Sequence, residues 1–354
     1  MVETNCRQKI SSAKRWSLIL LSVFVLLTSR YSRKSELITP PVETQLSKQT
    51  IMTLRGINIG NALDAPSPGK WGVTIQPEYF QVIKDAGFTA VRLPVRFSSH
   101  TALEAPYTLD EEFMGFVDSA IQHGLDAGLT VVLDLHHFDE LMLDSREHSP
   151  RFLAIWRQLA LRYQSYPDKL IFELLNEPYN DLDASKWNEL LRKAVKVIRM
   201  YDRDRWIIIG SVEYNNVHQL NLLKLPHDKH LIVTFHFYEP FMFTHQGTSW
   251  VTGSESWKGT RWQARDFEKD RIRSALDIAA KYSIEHGVPV MMGEFGTSDA
   301  ANAEDRRHWT DFVAREAEKR NISWFYWQFC SEFGVYDCAT NQFNKPLLHS
   351  LIDE

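Results

Sequence analysis

The feature that most constrains the fold of this chain is a repeated alternation of short apolar runs with amphipathic stretches after residue 53. Each run is continuously apolar and rich in Val, Ile or aromatic residues, as expected for strands buried on both faces. We predict eight strands, at residues 54–59, 90–94, 130–135, 170–175, 206–210, 231–235, 288–293 and 323–328. Strands of this kind belong to a parallel sheet that is covered by helices.

The stretches between these runs have the periodicity of helices. The predicted helices span residues 76–86, 109–127, 150–163, 184–201, 215–223, 267–286, 303–319 and 346–352. Eight strand–helix units in about 300 residues predict a (β/α)₈ TIM barrel. The alternative is a doubly wound open sheet, but the Gly-rich phosphate loop typical of that fold is missing from the sequence.

The first fifty residues differ in composition from the rest of the chain. Basic residues from Arg7 to Arg15 precede an apolar run at 16–27, a pattern of secretory signals, and Arg30 follows that run. We therefore assign residues 1–34 to a signal peptide or an uncleaved signal anchor, 35–50 to a linker and 51–354 to one folded domain. Both alternatives place the domain outside the cytoplasm, secreted or periplasmic, with membrane contact only through the N-terminal segment.

Charge and cysteine content restrict the partners and cofactors of the chain. The net charge of −5 gives no indication of a nucleic-acid partner, and a hydrophobic content of 44% argues against disorder after the N-terminal segment. Cys330 and Cys338 are either a disulfide in an oxidising compartment or two free thiols. No Cys/His spacing resembles a zinc site, and we expect no metal.

Polar and aromatic side chains stand at the carboxyl ends of seven predicted strands. In a (β/α)₈ barrel these positions face the active site. In chain order they are Asn58, Asn61, Asp64, Arg92, Asp134, His136, His137, Asn176, Glu177, His236, Tyr238, Glu294 and Trp327. So many polar residues on otherwise apolar strands predict a functional site at that end of the barrel.

The motifs at these strand ends resemble glycoside hydrolase family 5, to which many cellulases belong. They are Val91–Pro94, Leu135–His137, Asn176–Pro178, His236–Tyr238 and Gly293–Gly296 in the order and on the strands typical of the family. The segments 55–61 and 241–247 are most similar to bacterial endoglucanases of that family. The resemblance covers about residues 52–354 and implies a (β/α)₈ fold, no cofactor and hydrolysis with retention of anomeric configuration.

The resemblance implies roles for two glutamates. Glu294 corresponds to the nucleophile and Glu177 to the acid that later acts as base, which a retaining mechanism requires at about 5–5.5 Å separation. Glu294 must then be ionised and Glu177 protonated near neutral pH. Arg92 is the cation expected to keep Glu294 ionised, or else it forms a structural ion pair. Tyr238 is expected to orient Glu294.

The remaining candidates are substrate-binding or supporting residues. Asn176 is expected to bind the 2-hydroxyl of the sugar. Trp327 is expected to stack on the sugar at the cleavage point. The histidines His136, His137 and His236 are interpreted as contacts to substrate or to catalytic groups, with a metal site as the alternative, and Asn61 and Asp64 as contacts to more distant hydroxyls.

Four further residues receive weaker interpretations. Trp71 and Trp250 are either outer sugar platforms or loop packing. Glu173 is predicted to be a buried, non-catalytic charge, with Arg55 as its partner. Asp134 is expected to support one of the two histidines that follow it.

The expected function is that of an exported, monomeric, endo-acting β-glycanase that cuts β-1,4-glucosidic bonds of cellulose or related polysaccharides. A β-mannanase is the alternative within the enzymes, because mannose differs from glucose only at the 2-hydroxyl. A catalytically inactive carbohydrate-binding barrel is the alternative outside the enzymes. It would keep the aromatic platforms but lose a glutamate.

Overall fold

The structure, a computed structural model, describes residues 46–352. The predicted signal or anchor segment lies outside the described residues, as does most of the predicted linker. Within residues 46–352, no helix is long and apolar enough to cross a membrane. The last residues of the predicted linker belong to a short helix that begins at Lys48, after Ser47 caps its first turn.

Eight parallel strands form a closed barrel in which each strand pairs with its neighbours in chain order and β8 pairs with β1. They are β1 Arg55–Asn58, β2 Ala90–Val95, β3 Thr130–Leu135, β4 Leu170–Glu173, β5 Ile207–Gly210, β6 Leu231–Phe237, β7 Val290–Phe295 and β8 Ser323–Tyr326. A two-stranded sheet, β9 Tyr336–Asp337 and β10 Gln342–Phe343, follows. The predicted barrel is confirmed, and the open-sheet alternative is wrong.

Helices surround the barrel. They are α1 Lys48–Ile51, α2 Glu78–Asp85, α3 Glu111–Asp126, α4 Asp139–Leu143, α5 Ser145–Tyr163, α6 Ala184–Arg199, α7 Val212–Asn215, α8 Phe241–Thr244, α9 Asp266–His286, α10 Ala303–Glu318 and α11 Lys345–Leu351. Three 3₁₀ helices, Phe97–His100, Val217–Leu222 and Ser254–Trp257, lie in the loops. The helix predicted at 215–223 is a 3₁₀ helix, Val217–Leu222, and it follows α7, which contains left-handed residues.

The lower half of the barrel is filled by apolar side chains. Phe325 fills the space beside Gly56 so closely that a Cβ on that glycine would lie 2.2 Å from the phenyl ring. One buried cluster combines inward-facing strand residues with residues at the N-terminal end, namely Leu46, Ile51, Leu54, Ala90, Val132, Ile171, Trp206, Ile208, Ile232, Met291 and Phe325. Because the bottom is packed, the polar strand ends can form a site only at the opposite, C-terminal end.

A register shift in β6 and β7 sets the position of one of those strand ends. The pairing changes between Phe235 and His236, so that His236 lies opposite Glu294. Gly293 sits at the shift, where an added Cβ would come within 2.6 Å of the Thr234 hydroxyl. Bulges of this kind re-aim side chains beside active sites.

Candidate active site

The guanidinium of Arg92 lies at the centre of the polar cluster above the apolar barrel core. Its side chain is fully buried, and β2 directs it into the barrel beside β3 and β4. Its hydrogen-bond and ion-pair distances are 2.7 Å to Glu294, 2.7 and 3.0 Å to Glu173, 2.8 Å to Asn176, 3.0 Å to Asn58 and 3.0 Å to Asp134. Arg92 therefore neutralises several buried carboxylates, and Glu294 is one of them.

Glu173 corrects one prediction. Its carboxylate receives two hydrogen bonds from Arg92, whereas Arg55 pairs with Glu318 at 2.8 Å. Side chains alternate between the two faces of a strand, and Asn58 points into the barrel, so Arg55 three positions earlier points outward. Glu173 is a buried charge as predicted, but the partner was wrong.

Glu294 and Glu177 are brought together from β7 and from the segment after β4. Glu177 and Glu294 belong to a group, together with His236, whose ligand-type atoms all lie within 4.8 Å of one another. Glu294 is nearly buried, and the Tyr238 hydroxyl donates to its second oxygen at 2.8 Å. Glu177 is 28% exposed at its side chain, and one of its oxygens lies 2.7 Å from Nδ1 of His236. The two carboxylates thus have different partners.

The causes of the pKa shifts of Glu177 and Glu294 differ, as their hydrogen-bond partners do. Burial raises the pKa of Glu177 to about 7, with Arg92 opposing the shift and Glu173 adding to it. Burial also raises the pKa of Glu294, but His236, Arg92 and the Tyr238 hydrogen bond act against that rise. Because Glu294 has an ion pair and a hydroxyl donor at its two oxygens, its ionised form is the better stabilised of the two.

Asp134 and His136 form a supported pair beside the glutamates. Nδ1 of His136 lies 2.6 Å from the Asp134 carboxylate, so Asp134 supports this histidine as expected. The His136 ring stacks on Trp327 at 5.7 Å with an interplanar angle of 4°. Trp327 is half-buried at the end of β8, and its indole lies parallel to the His136 ring.

A second group of predicted residues lies next to this pair. Asp64, His136 and His137 offer polar atoms within 4.8 Å of one another. The Asp64 carboxylate accepts backbone N–H groups of Asn61 and Ala62, at 3.0 and 2.7 Å, and therefore also shapes its own loop. Asn61 has a positive φ of 63° and donates its side-chain amide to Ser331.

The outer tryptophans lie on loops at the same end of the barrel. Trp71 is 41% exposed and contacts His137 edge-on at 5.7 Å. Trp250 is 50% exposed and packs on Phe333 at 5.5 Å. Phe333 lies in the loop closed by Cys330 and Cys338, which form a disulfide in the structure. Of the two alternatives that the sequence left open for these cysteines, the structure contains the disulfide.

Among residues 46–352, two groups of side chains are arranged so that they could hold a metal ion. They are Asp64 with His136 and His137, and Glu177 with His236 and Glu294. In the second group, a divalent ion would compete with the contact between Nδ1 of His236 and Glu177. In the first group, Nδ1 of His136 contacts Asp134, which leaves its Nε2 available. The expectation that the chain uses no metal stays a prediction.

The sequence patterns assign no role to two asparagines of the site. Asn58 is one of the predicted strand-end residues, and in the structure it accepts from Arg92 and donates to the backbone of Gly293 and Tyr326. Asn215 follows β5, the one strand for which no site residue was proposed, and contacts Nε2 of His236 at 3.3 Å. The available signal was an asparagine shortly after a strand end, since asparagine tolerates left-handed turns.

The sequence profile of the cellulases, glycosyl hydrolase family 5, matches residues 47–333 of this chain. The chain belongs to glycosyl hydrolase family 5. The family resemblance inferred from the sequence is thereby confirmed. Residues 47–333 include all the strand ends that form the site, so the family assignment covers the whole candidate active site.

Curated relatives include endoglucanase H of Acetivibrio thermocellus, which is 30% identical over 325 residues. The match covers 89% of this chain and 35% of that protein, and a cellulase/esterase, CelE, of the same organism also matches over 35% of its length. The chain thus spans about a third of these two relatives. Endoglucanase C of A. thermocellus is 27% identical, with 84% of this chain and 96% of that protein covered.

Solved family 5 structures superpose closely on the chain. Thermotoga maritima Cel5A, described in complex with cellobiose, has a TM-score of 0.84 and 47% identity, covering 86% of this chain and 99% of that one. The same TM-score and identity apply to Cel5A in complex with mannotriose. The cellulose synthase subunit Z of Clostridioides difficile has a TM-score of 0.83 and 40% identity, with 85% and 100% coverage.

Proposed function

We propose that this protein is a retaining endo-β-1,4-glucanase, with Glu294 as nucleophile and Glu177 as acid and base. The observation that carries the proposal is the pair of glutamates whose oxygens lie within 4.8 Å of each other and have unlike partners. Retaining glycosidases hold their two carboxyl groups about 5–5.5 Å apart, whereas inverting enzymes hold them about 6.5–9.5 Å apart. The short separation supports a double displacement.

In the first step, an oxygen of Glu294 forms a bond to the anomeric carbon. The glycosidic C–O bond breaks with its electron pair on the leaving oxygen, and Glu177 delivers a proton to that oxygen. Arg92 and Tyr238 keep Glu294 ionised and oriented for this attack. The partly buried, neutral Glu177 supplies the proton, in agreement with its raised pKa of about 7.

In the second step, a water molecule replaces the leaving sugar. Its oxygen attacks the anomeric carbon, Glu177 accepts its proton, and the bond to Glu294 breaks to regenerate the carboxylate. While Glu294 is a neutral ester, its negative charge no longer disfavours the ionised form of Glu177, so Glu177 stays ionised and can accept the proton of the water. Asn176 lies next to Glu177 and contacts Arg92, in position for the 2-hydroxyl.

The sugar chain would lie across the polar and aromatic residues at the barrel end. Trp327 would stack on the sugar at the cleavage point, and the exposed Trp71 and Trp250 would serve as outer platforms. His136, His137, Asn61 and Asp64 would contact hydroxyl groups. The endoglucanases among the relatives support a β-1,4-glucan substrate.

Mannan is a second candidate substrate. One specific observation favours it: T. maritima Cel5A, at 47% identity, is described with mannotriose as well as with cellobiose. We therefore propose that this chain also accepts mannan or glucomannan. An inactive carbohydrate-binding barrel is disfavoured because both glutamates are present and close together.

The location of the protein also belongs to the proposal. We propose that residues 1–34 direct export, as a cleaved signal or as an anchor through residues 16–27, and that the domain works as an exported monomer. The testing experiment uses the chain without residues 1–45 on soluble cellulose, barley glucan, glucomannan and galactomannan. Release of reducing ends from none of these substrates would refute the activity. Proton NMR should show the β anomer first, and α-first product would refute retention.

A further inference from the structure

The turn after β5 has an unusual backbone. Glu213, Tyr214 and Asn215 have φ angles of 55°, 63° and 55°, so three successive non-glycine residues are left-handed. Such residues are uncommon, and strained backbone is concentrated at functional sites. Glu213 and Tyr214 are exposed, whereas Asn215 is fully buried. The strained turn therefore brings the side chain of Asn215 into the barrel end.

One contact connects this turn to the segment that carries Glu177, and a second contact connects it to His236. The backbone N–H of Tyr214 donates to the carbonyl of Pro178, the residue after Glu177, at 3.3 Å. The side-chain nitrogen of Asn215 lies 3.3 Å from Nε2 of His236. Gly210 makes room for this side chain, because a Cβ there would lie 2.0 Å from the Asn215 oxygen.

The surroundings of Nδ1, the other ring nitrogen of His236, determine whether Nε2 is donor or acceptor in its contact with Asn215. Nδ1 lies 2.7 Å from an oxygen of Glu177 and 3.6 Å from an oxygen of Glu294. Ionised Glu294 is an acceptor, and protonated Glu177 still accepts through its carbonyl oxygen, so the proton of a neutral imidazole belongs on Nδ1. Nε2 then carries a lone pair, and the amide N–H of Asn215 is its donor. Protonation of Nε2 would set an N–H group against the N–H of Asn215.

We propose that Asn215 is a positioning residue that keeps His236 neutral and protonated on Nδ1, so that Glu177 keeps its own proton for the substrate. The inference rests on the proposed acid/base role of Glu177. In the opposite tautomer, the lone pair of Nδ1 would accept the proton of Glu177 and draw it away from the glycosidic oxygen. A charged imidazolium would favour ionised Glu177, which has no proton to give.

In the described part of the chain, the titratable and charged groups around His236 do not contact Nε2, which Asn215 contacts. Glu294, Arg92 and Glu173 act on the ring from β7, β2 and β4, and His136 faces it from beyond β3. Burial lowers the pKa of His236 to about 4, in agreement with a neutral ring. Glu177 and Glu294 lie beside Nδ1 of His236, whereas the side chain of Asn215 lies beside Nε2.

The test uses two substitutions of Asn215 and one matched control. Asn215→Gly keeps the left-handed backbone, which glycine adopts freely, and removes the donor. Asn215→Asp replaces the donor with an acceptor that favours a proton on Nε2. Asn321→Gly is the control, because Asn321 is an exposed left-handed residue (φ 54°) before β8, at the opposite end of the barrel. Thermal unfolding shows whether each variant folds.

Aryl β-cellobiosides then distinguish an effect on proton donation from a general loss of activity. With a phenol leaving group, which needs the acid, Asn215→Gly should lower kcat/KM by about tenfold or more, within the range of general acid catalysis. With 2,4-dinitrophenol, which needs little acid, the loss should stay within about twofold. Asn215→Asp should move the alkaline limb of the pH profile to lower pH. Asn321→Gly should behave like the unaltered protein.

Nitrogen NMR of the ¹⁵N-histidine-labelled protein tests the tautomer without any turnover. We expect His236 to be neutral and protonated on Nδ1 in the unaltered protein, and to lose that preference in Asn215→Asp. The proposal would be overturned by a proton on Nε2 of His236 in the unaltered protein. It would also be overturned if Asn215→Gly lost kcat/KM equally on both substrates or lost none. A lack of turnover on every glycoside would refute the proposed function instead, and the NMR result would still decide this inference.

Discussion

Arg92 and Glu294 form an ion pair of 2.7 Å across the barrel end, between side chains that are almost completely removed from water. The same guanidinium binds Glu173, so Glu294 shares its cation with a permanently buried carboxylate. An opposite charge within hydrogen-bond distance favours the ionised carboxylate. Because a nucleophile must be ionised to attack, the pair explains why Glu294 rather than Glu177 suits that role.

Replacing Glu294 with Gln should therefore abolish hydrolysis while the barrel still folds. The amide nearly preserves the shape of the side chain but cannot form a bond to the anomeric carbon and regenerate. Activity on soluble cellulose is the measurement, and circular dichroism reports the fold. Glu255→Gln is the control, because Glu255 is an exposed residue paired only with Lys258. More than trace activity in Glu294→Gln would contradict the assignment.

Replacing Glu177 with Ala should remove proton donation but spare the nucleophile. We expect a loss of about 10²–10⁴-fold on a phenyl glycoside and a much smaller loss of the first step with 2,4-dinitrophenol as leaving group. Added azide should then raise the rate, because a small anion can take the place of the base-activated water. Equal losses with both leaving groups would argue against the acid role.

The pH dependence of kcat/KM should be bell-shaped, with its alkaline limb near pH 7. Glu177 must be protonated, and its raised pKa of about 7 means that activity falls as pH rises through that value. Glu294 must be ionised, and burial raises its pKa, so activity falls on the acid side at a pH above the usual range for glutamate. A profile that stays flat from pH 6 to pH 9 would contradict this assignment.

Removing the disulfide should destabilise the rim of the site. Cys330 and Cys338 are eight residues apart, and closing such a loop contributes about 2–3 kcal/mol in the chain-entropy estimate. The double variant Cys330→Ala, Cys338→Ala should lose stability of that order in urea unfolding. Reduced, unaltered protein is the control and should show a similar loss. Equal stability of the reduced and oxidised protein would show that the crosslink does not contribute.

Chelation should leave hydrolysis unchanged. The ligand-type atoms of Glu177, His236 and Glu294 lie close enough to hold an ion, but the proposed mechanism uses them for attack, support and proton transfer. Dialysis against EDTA should therefore not lower activity on soluble cellulose, whereas excess Zn²⁺ should inhibit by occupying these groups. Loss of activity on chelation, restored by a metal, would overturn the expectation of a metal-independent enzyme.

The sequence alone determined the barrel and the two glutamates. Continuous apolar runs of five or six residues with helices between them have few other folded solutions, and strand ends in a barrel face one site. Glu177 and Glu294 could be recognised because their neighbours in the chain form motifs. Local patterns of this kind do not depend on contacts between distant residues.

Only the tertiary structure decided which residues meet across the barrel. The register of β2, β3 and β4 puts Glu173 beside Asp134, two residues beyond the level of Arg92, and the long Arg92 side chain reaches both carboxylates. Arg55 points outward to Glu318. Asn215 reaches His236 through a left-handed turn that replaces the predicted start of a helix. Strand register and backbone strain arise from packing of the whole barrel, so a single sequence pattern could not reveal them.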